Sequence, residues 1–434
     1  MLNKSKCFKF LLIPFVFISF LSLFGCNRDV DNHADHEQYC CYGYDGKDIY
    51  KRCSQCGTVS KVKEFVDNTQ DDFFEYYELD DGTFGVGASN VLSDAPKNSY
   101  LNITIPSSHL GKKVTEVVER GFSNIHGNQL GFVTIPSSIT SVRYAAFNNI
   151  RFKVFLLEEG VETIEDLAFA LSSYYMVFIP KTIKNMSPLA FYSSQVEKYV
   201  VDNDNGTYMS IDDAIYSKNK KEIILHPYID GRFDDGLDRM IFDDANILEG
   251  TELVGQYCFT RVALENIILP SSVKELKEHS FLECFLYGSI VLNEGLLKIG
   301  AQAFTDFRLF NREEISIPKT VIEIGEGAFS ACALRAMTLP PKLKIIEKDL
   351  FRNDGNLDEC VIDVGVEAIR EHAFLCTSVD HLTFLGTMEQ WSHISLDDGW
   401  DLISSPESRE FKKPDVEEEI RISKIVCSDG SITL

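Results

Sequence analysis

A phenylalanine preceded by a small or apolar residue recurs at a nearly constant interval through most of the 434-residue chain. The recurring residues are Phe122, Phe147, Phe169, Phe191, Phe259, Phe281, Phe304, Phe329, Phe351 and Phe374. They are 22 to 25 residues apart, except for a gap of 68 residues between Phe191 and Phe259, which equals about three periods. A unit of this length cannot bury its own apolar face and is stable only when stacked on copies of itself. The spacing therefore predicts a repeat solenoid, with function on its surface rather than in a globular pocket.

Several of these phenylalanines end a common frame, in which alternating apolar residues lead to a proline and further apolar residues follow it. In residues 264–281 the frame consists of Leu264, Ile267, Leu269, Pro270, Val273, Leu276, Ser280 and Phe281. Residues 130–147, 315–329 and 334–351 follow the same frame. An apolar residue at every second position is typical of a short strand with one buried face. Proline has no backbone N–H, so it ends the strand and begins a turn. We therefore interpret the apolar residues of this frame as the core of stacked coils.

This frame resembles the leucine-rich repeats of the BspA-like class, also called Treponema pallidum-type repeats, over about residues 75–395. The resemblance implies a solenoid of repeats of about 22–25 residues, mostly β and irregular coil with little helix. One short strand per repeat would form a curved parallel sheet. Gly160, Gly295 and Gly365 lie in units without the proline, and we expect a different turn there within the same fold.

The sequence predicts five consecutive segments. These are a lipoprotein signal peptide at 1–25, a Cys/His-rich leader at 26–62, a leading hairpin or N-terminal cap at 63–100, a leucine-rich repeat array at 101–395, and a C-terminal linker with capping strands at 396–434. Residues from about 196 to 258 resemble the longer variant unit of the repeat family, which accounts for the gap between Phe191 and Phe259.

The N-terminus predicts export. Three lysines within the first nine residues precede an apolar run at 10–24, which is too short for a comfortable membrane span and is typical of a secretory signal peptide. Residues 23–26, Leu-Phe-Gly-Cys, resemble the lipobox of bacterial lipoproteins, which implies cleavage before Cys26 and lipidation of its sulfur. The lipid would tether the protein to a membrane. We expect an exported, membrane-anchored lipoprotein at the cell surface or outer envelope; an ordinary secretory signal or an uncleaved anchor is the alternative.

The net charge argues against nucleic acid as a partner. The formal charge is −24, and removal of residues 1–25, which contain three lysines and no acids, makes it −27. So acidic a surface, without a basic stripe, repels phosphate backbones.

Four residues of the leader predict a structural zinc site. Cys53 and Cys56 are two residues apart within C-x2-C-G, a spacing with which two thiolates can hold one tetrahedral ion. His36 and Cys40, or Cys40 with Cys41, would complete the set. Disulfides or free thiols are the alternatives. Zinc is the only cofactor expected, and either bound form would staple a segment too short for its own core.

The remaining cysteines and the acidic turns have simpler interpretations. Six cysteines occur singly in or near repeat units, where Cys behaves as a small hydrophobe, although a pair such as Cys360 and Cys376 could form a disulfide. The segment 202–206 resembles a calcium loop, but its glycine is at the fifth position and no Glu follows at the twelfth. We interpret it as an Asp/Asn-rich turn.

The sequence carries no recognisable catalytic motif: no G-x-S-x-G elbow, phosphate-binding glycine loop or H-E-x-x-H helix. We therefore expect no enzyme. The repeat family that the chain resembles is associated with surface adhesion, which implies a protein that binds protein or glycan ligands outside the cell. Exposed aromatic residues on the strand-lined face would supply the binding energy, and Tyr174, Tyr175 and Phe132 are the candidates. The alternative is an envelope scaffold or spacer without a dedicated external ligand.

Overall fold

The structure is a computed structural model that describes residues 40–45, 47–53, 59–62, 67–95, 101–123, 125, 130–150, 152–228, 232–234, 239–310, 315–404 and 420–434. Within these ranges the chain forms a solenoid of stacked coils whose strands pair mostly in parallel. Helix in the described ranges is limited to a 3-10 turn at Asp71–Phe73 and the short α-helices Asn90–Ser93 and Met388–Trp391. The predicted solenoid of short strands with little helix is confirmed.

The strands of successive coils form three rows, where the sequence predicts one strand per repeat. Row A includes the two residues that lie five and six positions before each recurring phenylalanine. Row B is formed by the strands that precede the proline. Row C is formed by the residues four and five positions after the phenylalanine. Row A contains Phe74–Glu78, Phe84–Ala88, Ser108–His109, Lys112–Val117, Ser141–Val142, Thr163–Ile164, Asn185–Met186, Tyr208–Ile211, Ala214–Ser217, Glu222–Leu225, Leu253–Val254, Glu275–Leu276, Lys298–Ile299, Glu323–Ile324, Ile345–Ile346, Ala368–Ile369 and Ser395–Leu396.

Row B contains Leu101–Thr104, Leu130–Ile135, Phe152–Leu157, Val177–Ile179, Tyr199–Val201, Ile267–Ile268, Ile290–Val291, Ala336–Thr338, Glu359–Ile362, His381–Phe384, Lys424–Cys427 and Gly430–Thr433. Row C contains Ser173–Tyr174, Gln195–Val196, Ala263–Leu264, Phe285–Leu286 and Arg308–Leu309. The described ranges also contain hairpins outside the rows, at Arg232–Asp234 with Arg239–Ile241 and at Leu402–Ser404 with Ile420–Arg421.

The recurring phenylalanines form a column of buried, stacked rings. Nine of the ten are fully buried, and Phe191 is 5% exposed. Ring centroids of neighbouring coils lie between 4.8 Å, for Phe259 and Phe281, and 6.3 Å, for Phe329 and Phe351. Each such ring pair adds roughly 0.5–1.5 kcal/mol to the free energy gained by burial. The period found in the sequence is therefore the period of the core.

The turn around each column phenylalanine is held by hydrogen bonds to the next coil. The Phe147 N–H donates to the carbonyl oxygen of Ala168 at 2.8 Å, and the Ala145 N–H donates to that of Asp166 at 2.9 Å. Ala145 and Asn149, two positions before and after Phe147, adopt left-handed φ angles of 51° and 61°. Most coils have the same two left-handed positions on either side of the phenylalanine. A left-handed conformation costs a non-glycine residue about 1–2 kcal/mol, so the bonds between coils must maintain it.

Glycine allows close contact between turns in units that lack the proline. A Cβ atom at Gly160 would lie 2.0 Å from the carbonyl oxygen of Ser137 in the preceding coil. At Gly365 it would lie 2.3 Å from the carbonyl oxygen of Pro341. These coils stack on their neighbours as the proline-containing coils do, because the missing side chain leaves room for the adjacent backbone.

An antiparallel meander fills part of the gap in the phenylalanine column. Its strands are Tyr208–Ile211, Ala214–Ser217 and Glu222–Leu225. Successive side chains of a strand point to opposite faces. Accordingly, Ile215 packs in a core cluster within residues 73–225, whereas its neighbours Ala214 and Tyr216 pack in a second cluster within residues 214–427. This variant meander divides the core into two parts, called here the N-terminal and C-terminal halves.

A second meander, the leader meander, packs on the outside of the N-terminal half. Its strands are Cys40–Tyr44, Ile49–Cys53 and Val59–Val62. Tyr42 and Ile49 form a small buried cluster with Phe132 and Val154 of row B. The Tyr42 and Phe132 rings meet edge to face at 5.7 Å, and the Tyr175 N–H donates to the Tyr42 carbonyl oxygen at 2.8 Å. The leader thus covers apolar side chains that the solenoid would otherwise expose.

Candidate functional site

The three aromatic residues predicted to form a binding surface are buried. Tyr174, Tyr175 and Phe132 are 0%, 8% and 6% exposed. The Tyr174 ring lies edge-on to Phe155 inside the core, with centroids 5.2 Å apart. Phe132 points outward but lies beneath Tyr42 of the leader meander. The prediction of a binding face at these residues is therefore wrong.

The predicted zinc site lies only partly within the described residues. Strand pairing places Cys40 directly opposite Cys53, so the backbone brings the two halves of the motif to one end of the leader meander. The other two predicted ligands, His36 and Cys56, and the predicted lipidation site Cys26, lie outside the described residues. The choice between zinc, disulfide and free thiols therefore stays a prediction.

Neither a metal cluster nor a membrane-spanning helix is found in the described ranges. No group of three or more His, Cys, Asp or Glu side chains there could hold a metal ion. Within the same ranges, no helix is long and apolar enough to cross a membrane.

The Asp/Asn-rich turn at 202–206 holds two coils together. Asn205 is fully buried, and its side-chain amide donates to the carbonyl oxygens of Pro180 and Ile183 at 2.9 and 3.1 Å. Its Oδ1 accepts the N–H groups of Thr207 and Tyr208. These bonds satisfy a buried polar side chain and the turn around it. The contacts give this turn a structural role.

The six cysteines in or near the repeat units are free thiols, so Cys360 and Cys376 do not form a disulfide. Cys360 is 2% exposed, and burial raises the pKa of its thiol to about 12. Because the thiolate is the reactive form of cysteine, this residue is chemically inert. It acts as a small apolar core residue.

A cluster of partly exposed aromatic residues lies instead along row C of the C-terminal half. Phe242 stacks on Tyr287 with centroids 4.4 Å apart, and Tyr287 stacks on Phe310 at 4.6 Å. Phe285 lies 6.3 Å from Phe310, and the Arg308 guanidinium lies 5.7 Å above the Phe285 ring. Phe310 is 53% exposed, although its side chain is entirely apolar. These five residues are called the aromatic ridge.

Strand alternation places the ridge on the outside of the solenoid. In the strand Phe285–Leu286, Leu286 is buried in the core, so the side chains on either side of it point outward. Tyr287 and Phe310 are therefore adjacent on the surface of neighbouring coils. Their planes differ by 11°, so each ring covers one face of the other. The rings therefore form a continuous apolar ridge across neighbouring coils.

Row B extends the apolar surface in the same half. Ile268 and Val291 are partners in adjacent parallel strands and are 57% and 50% exposed. The polar surroundings include Asp244, whose carboxylate accepts a hydrogen bond from the Asn266 amide at 2.7 Å. Apolar centres with polar margins are typical of protein recognition surfaces. These side chains supply contact area and charge, which suits binding rather than bond making.

The sequence contains a signal for the ridge. Phe310 follows Tyr287 by 23 residues, and Tyr287 follows Phe242 by 45 residues, which are one and two repeat periods. Aromatic residues that recur at whole repeat periods occupy equivalent positions of the stacked coils. When such positions lie outside the core frame, their side chains line up along the surface. Tyr174, Tyr175 and Phe132 do not recur in this way outside the core frame.

The chain belongs to the family of BspA type leucine rich repeat regions. The family's model matches six copies over residues 93–221, 241–311 and 305–397. The resemblance inferred from the proline and phenylalanine frame is therefore confirmed. Among curated proteins, none matches this sequence.

Several solved bacterial structures are similar to this chain. The pneumococcal vaccine antigen PcpA is 15% identical, with a TM-score of 0.55, covering 78% of this chain and 99% of the antigen. A leucine-rich repeat protein from Eubacterium ventriosum is 17% identical, covering 76% and 92% of the two chains, with a TM-score of 0.46. A leucine rich cell surface protein from Faecalibacterium prausnitzii is 17% identical, covering 77% and 98%, with a TM-score of 0.41. At these identities the likeness to PcpA establishes the fold alone.

Proposed function

We propose that this protein is a lipid-anchored, cell-surface leucine-rich repeat protein that binds an extracellular protein through the aromatic ridge. The observation that carries the proposal is the cluster of mutually stacked rings on row C, of which Phe310 is 53% exposed and the other three are half-buried. Interface hot spots are enriched in aromatic residues and Arg, and a few of them supply most of the binding energy. The ridge presents four aromatic side chains and Arg308.

The ring geometry favours a protein over a glycan as the ligand of the ridge. A sugar ring would pack its C–H groups on an open aromatic face. In the ridge, the faces between Phe242, Tyr287 and Phe310 cover one another, with centroids 4.4 and 4.6 Å apart. Ring edges with neighbouring aliphatic residues suit the apolar side chains of a protein partner, which pack edge to face against aromatic rings.

The anchor and location rest on the N-terminal sequence and on family membership. The lipobox-like residues 23–26 support lipidation at Cys26 after export. A lipid anchor would hold a large acidic solenoid beside the membrane without any membrane-spanning helix. The repeat array would then be presented outside the cell.

Truncating the ridge tests the binding proposal. The purified protein would be immobilised and exposed to candidate extracellular proteins, and the affinity of any captured ligand would be measured. We expect Tyr287→Ala with Phe310→Ala to weaken binding by about 30-fold or more, as expected for hot-spot residues.

Tyr77→Ala is the matched control, because Tyr77 is 46% exposed and lies in the hairpin of the N-terminal half. It should leave the affinity unchanged. Equal binding by the wild type and the folded ridge variant would overturn the proposal.

Surface exposure is tested separately on intact cells. Protease shaving should release peptides of the repeat array, and Cys26→Ser should abolish labelling with a radioactive fatty acid. An array fully protected from protease would instead favour an envelope scaffold or spacer. Ion pairs between neighbouring coils, such as Lys344 with Glu367 at 2.6 Å, would suit the stiffness of such a spacer.

We further propose a structural zinc on His36, Cys40, Cys53 and Cys56. The register that pairs Cys40 with Cys53 supports a staple at this end of the leader meander, by zinc or by a disulfide. Metal analysis of protein purified under reducing conditions should find about one equivalent of zinc, since structural zinc binds tightly to deprotonated thiols. Less than about a tenth of an equivalent would overturn the metal proposal and leave a disulfide or free thiols as the alternatives.

A further inference from the structure

The regular hydrogen bonds between coils stop after the coil of Phe191. In the coils within either half, the N–H of the recurring phenylalanine donates to a carbonyl oxygen of the next coil, as Phe169 donates to Ala190 at 2.8 Å. Phe191 and Phe374 make no such bond to another described residue. Phe374 is the last phenylalanine of the column. The N-terminal half therefore ends at Phe191 as the whole column ends at Phe374.

The strand pairing stops at the same place, called here the junction, between residues up to 201 and residues from 208 onward. Within the described residues, no strand pair of any row crosses it. The last paired strands before the junction are Asn185–Met186 in row A, Tyr199–Val201 in row B and Gln195–Val196 in row C. Row A crosses the junction through a side chain, because the Tyr208 hydroxyl accepts the Met186 N–H at 3.0 Å.

Rows B and C also cross the junction through isolated hydrogen bonds. In row B the Tyr199 N–H donates to the Asp213 carbonyl oxygen at 2.9 Å. In row C the Tyr228 N–H donates to the Val196 carbonyl oxygen at 2.7 Å. The backbone ladders that hold coils together within each half are therefore replaced by single bonds at the junction.

The core is less well filled at the junction. A cavity of about 50 Å³ lies there, lined by Phe191 and Tyr199 on one side and by His226, Cys258 and Val262 on the other. The stacking of column rings is interrupted at the same place. Side chains that line a cavity lose the dispersion contacts that close packing provides. The junction is therefore weakened in its apolar contacts as well as in its hydrogen bonds.

A polar cluster on the surface connects the two halves. The Arg261 guanidinium donates to the Ser193 hydroxyl at 2.5 Å and to the Glu283 carboxylate at 2.6 Å, and it lies 5.6 Å above the Tyr192 ring. Tyr192 and Ser193 belong to the N-terminal half, whereas Arg261 and Glu283 belong to the C-terminal half. The ion pair is about one-third exposed, so solvent weakens it.

A unit of a repeat protein is stabilised mainly by its neighbours, so the weakest contact between units determines where the array opens. The variant meander contributes Ile215 and Leu225 to the N-terminal core, which makes the junction a packed contact and not a linker. Phenylalanine stacking, turn bonds and strand pairing nevertheless all break there. From this coincidence we propose that the junction is a hinge, which opens while both halves stay folded. Its opening changes the orientation of the ridge relative to the leader meander and does not depend on what the ridge binds.

Hydrogen exchange of the full chain, resolved to single amides, tests the hinge. The reporters are the Tyr199 and Tyr228 N–H groups, which donate across the junction. The matched amides are those of Ile267 in row B and Phe285 in row C, which bond at 2.9 Å within the C-terminal half and have the same burial as their counterparts. We expect at least about ten-fold lower protection at the two reporters. Equal protection at all four amides would overturn the proposal.

Arg261→Ala removes the polar connection between the halves. It should speed exchange at the Tyr199 and Tyr228 amides about five-fold, as expected for a partly exposed ion pair, and leave the matched amides unchanged. Arg352→Ala is the control, because its guanidinium lies 3.4 Å from the Asp349 carboxylate within the C-terminal half. An equal increase at all four amides in Arg261→Ala would indicate global opening and contradict a hinge.

Variants of the phenylalanine column test whether each half stays folded without the other. Phe147→Ala should lower protection at least about ten-fold in residues 130–200 and leave residues 323–384 protected, whereas Phe329→Ala should do the reverse. Loss of protection in both halves of either variant would show that the array opens as a single unit. That result, or a boundary between coils at another position, would overturn the hinge.

Discussion

The two halves of the solenoid share one core frame but differ in what lies on row B. In the N-terminal half the outward residues Phe132 and Val154 are buried beneath Tyr42 of the leader meander. In the C-terminal half Ile268 and Val291 occupy the same row and remain at least half exposed. The repeat frame thus determines which residues enter the core. An outward apolar residue has a different meaning in each half: one is covered by the chain itself, and the other is available to a partner.

The leader meander also illustrates how a partner could engage a coil surface. It combines an aromatic edge contact, Tyr42 on Phe132, with one backbone bond from Tyr175 to the Tyr42 carbonyl. Side-chain packing supplies the area and the backbone bond supplies the register. A protein ligand on the aromatic ridge would have the same two means of contact in the C-terminal half.

The largest expected effect comes from breaking the phenylalanine column in either half. Phe147→Ala and Phe281→Ala should each lower the free energy of unfolding by about 3–5 kcal/mol, because both rings are fully buried. Denaturant unfolding followed by circular dichroism measures this loss. Phe310→Ala is the matched control, and its 53% exposed ring should cost far less. Equal losses for Phe281 and Phe310 would contradict the assignment of core and surface.

Asp354 should make the C-terminal half less stable as the pH rises. Its carboxyl group is fully buried and accepts the Leu334 N–H at 3.0 Å. Burial raises its pKa to about 7 from an ordinary value of 3.8. The folded state therefore holds the proton more tightly, and the free energy of unfolding should fall by roughly 4 kcal/mol as the pH rises from about 4 to about 7.

The variant Asp354→Asn tests that dependence, since an amide does not titrate. Stability measured by denaturant unfolding at pH 5 and at pH 8 should differ less in the variant than in the wild type. Asp358→Asn, which replaces an exposed carboxylate of the same half, should retain the wild-type difference. A parallel pH profile for Asp354→Asn and the wild type would exclude this group as the cause.

His226 lies in the segment where the phenylalanine column is interrupted. Its titration should lower the free energy of unfolding as the pH falls, which is opposite to the effect of Asp354. Its ring stacks on Phe259 at 4.6 Å, and burial lowers its pKa to about 4 from an ordinary 6.5. Below pH 6.5 the unfolded chain takes up a proton that the folded protein resists. The free energy of unfolding should therefore fall by roughly 3 kcal/mol as the pH drops from about 6.5 to about 4.

His226→Phe should remove this acid sensitivity and restore an aromatic ring in the column. The variant loses the contact between His226 Nδ1 and the Pro227 carbonyl oxygen at 2.8 Å, so its gain at neutral pH should be small. Thermal unfolding at pH 4.5 and pH 7 measures the difference. His381→Phe, at an exposed position, serves as control. If the variant melts with the wild-type acid dependence, His226 is not the sensor.

The core of both halves could be predicted because it repeats. The phenylalanine column, the proline turn and the variant unit can each be recognised from the spacing of residues in the sequence. The left-handed positions could not be predicted, because Ala145, Gln302 and Asp349 share that conformation without sharing a side-chain type. Hydrogen bonds between coils impose it, and local propensity does not indicate them.

The covered surface could not be predicted for a related reason. Tyr42 and Phe132 are ninety residues apart and lie in segments with different sequence patterns, so nothing local connects them. The exposure of an outward residue depends on such long-range packing. Phe132 was therefore a reasonable candidate for a binding face, and it is buried only because the leader meander is there.

The smallest effect should follow from releasing the leader meander. Gly43 pairs with Met176, and a Cβ atom on Gly43 would lie 2.3 Å from the Met176 Cβ. Gly43→Val should therefore detach the meander and expose Phe132, at a cost of roughly 1–2 kcal/mol for the lost local contacts. Hydrogen exchange should speed up at the Tyr175 N–H, which donates to the Tyr42 carbonyl, while amides of the C-terminal half stay unchanged. Gly206→Ala is the control, since a Cβ there meets no atom within 4 Å. Protection of Tyr175 equal to that in the wild type would show that the leader meander does not need this contact, and the two halves would differ in their surfaces for another reason.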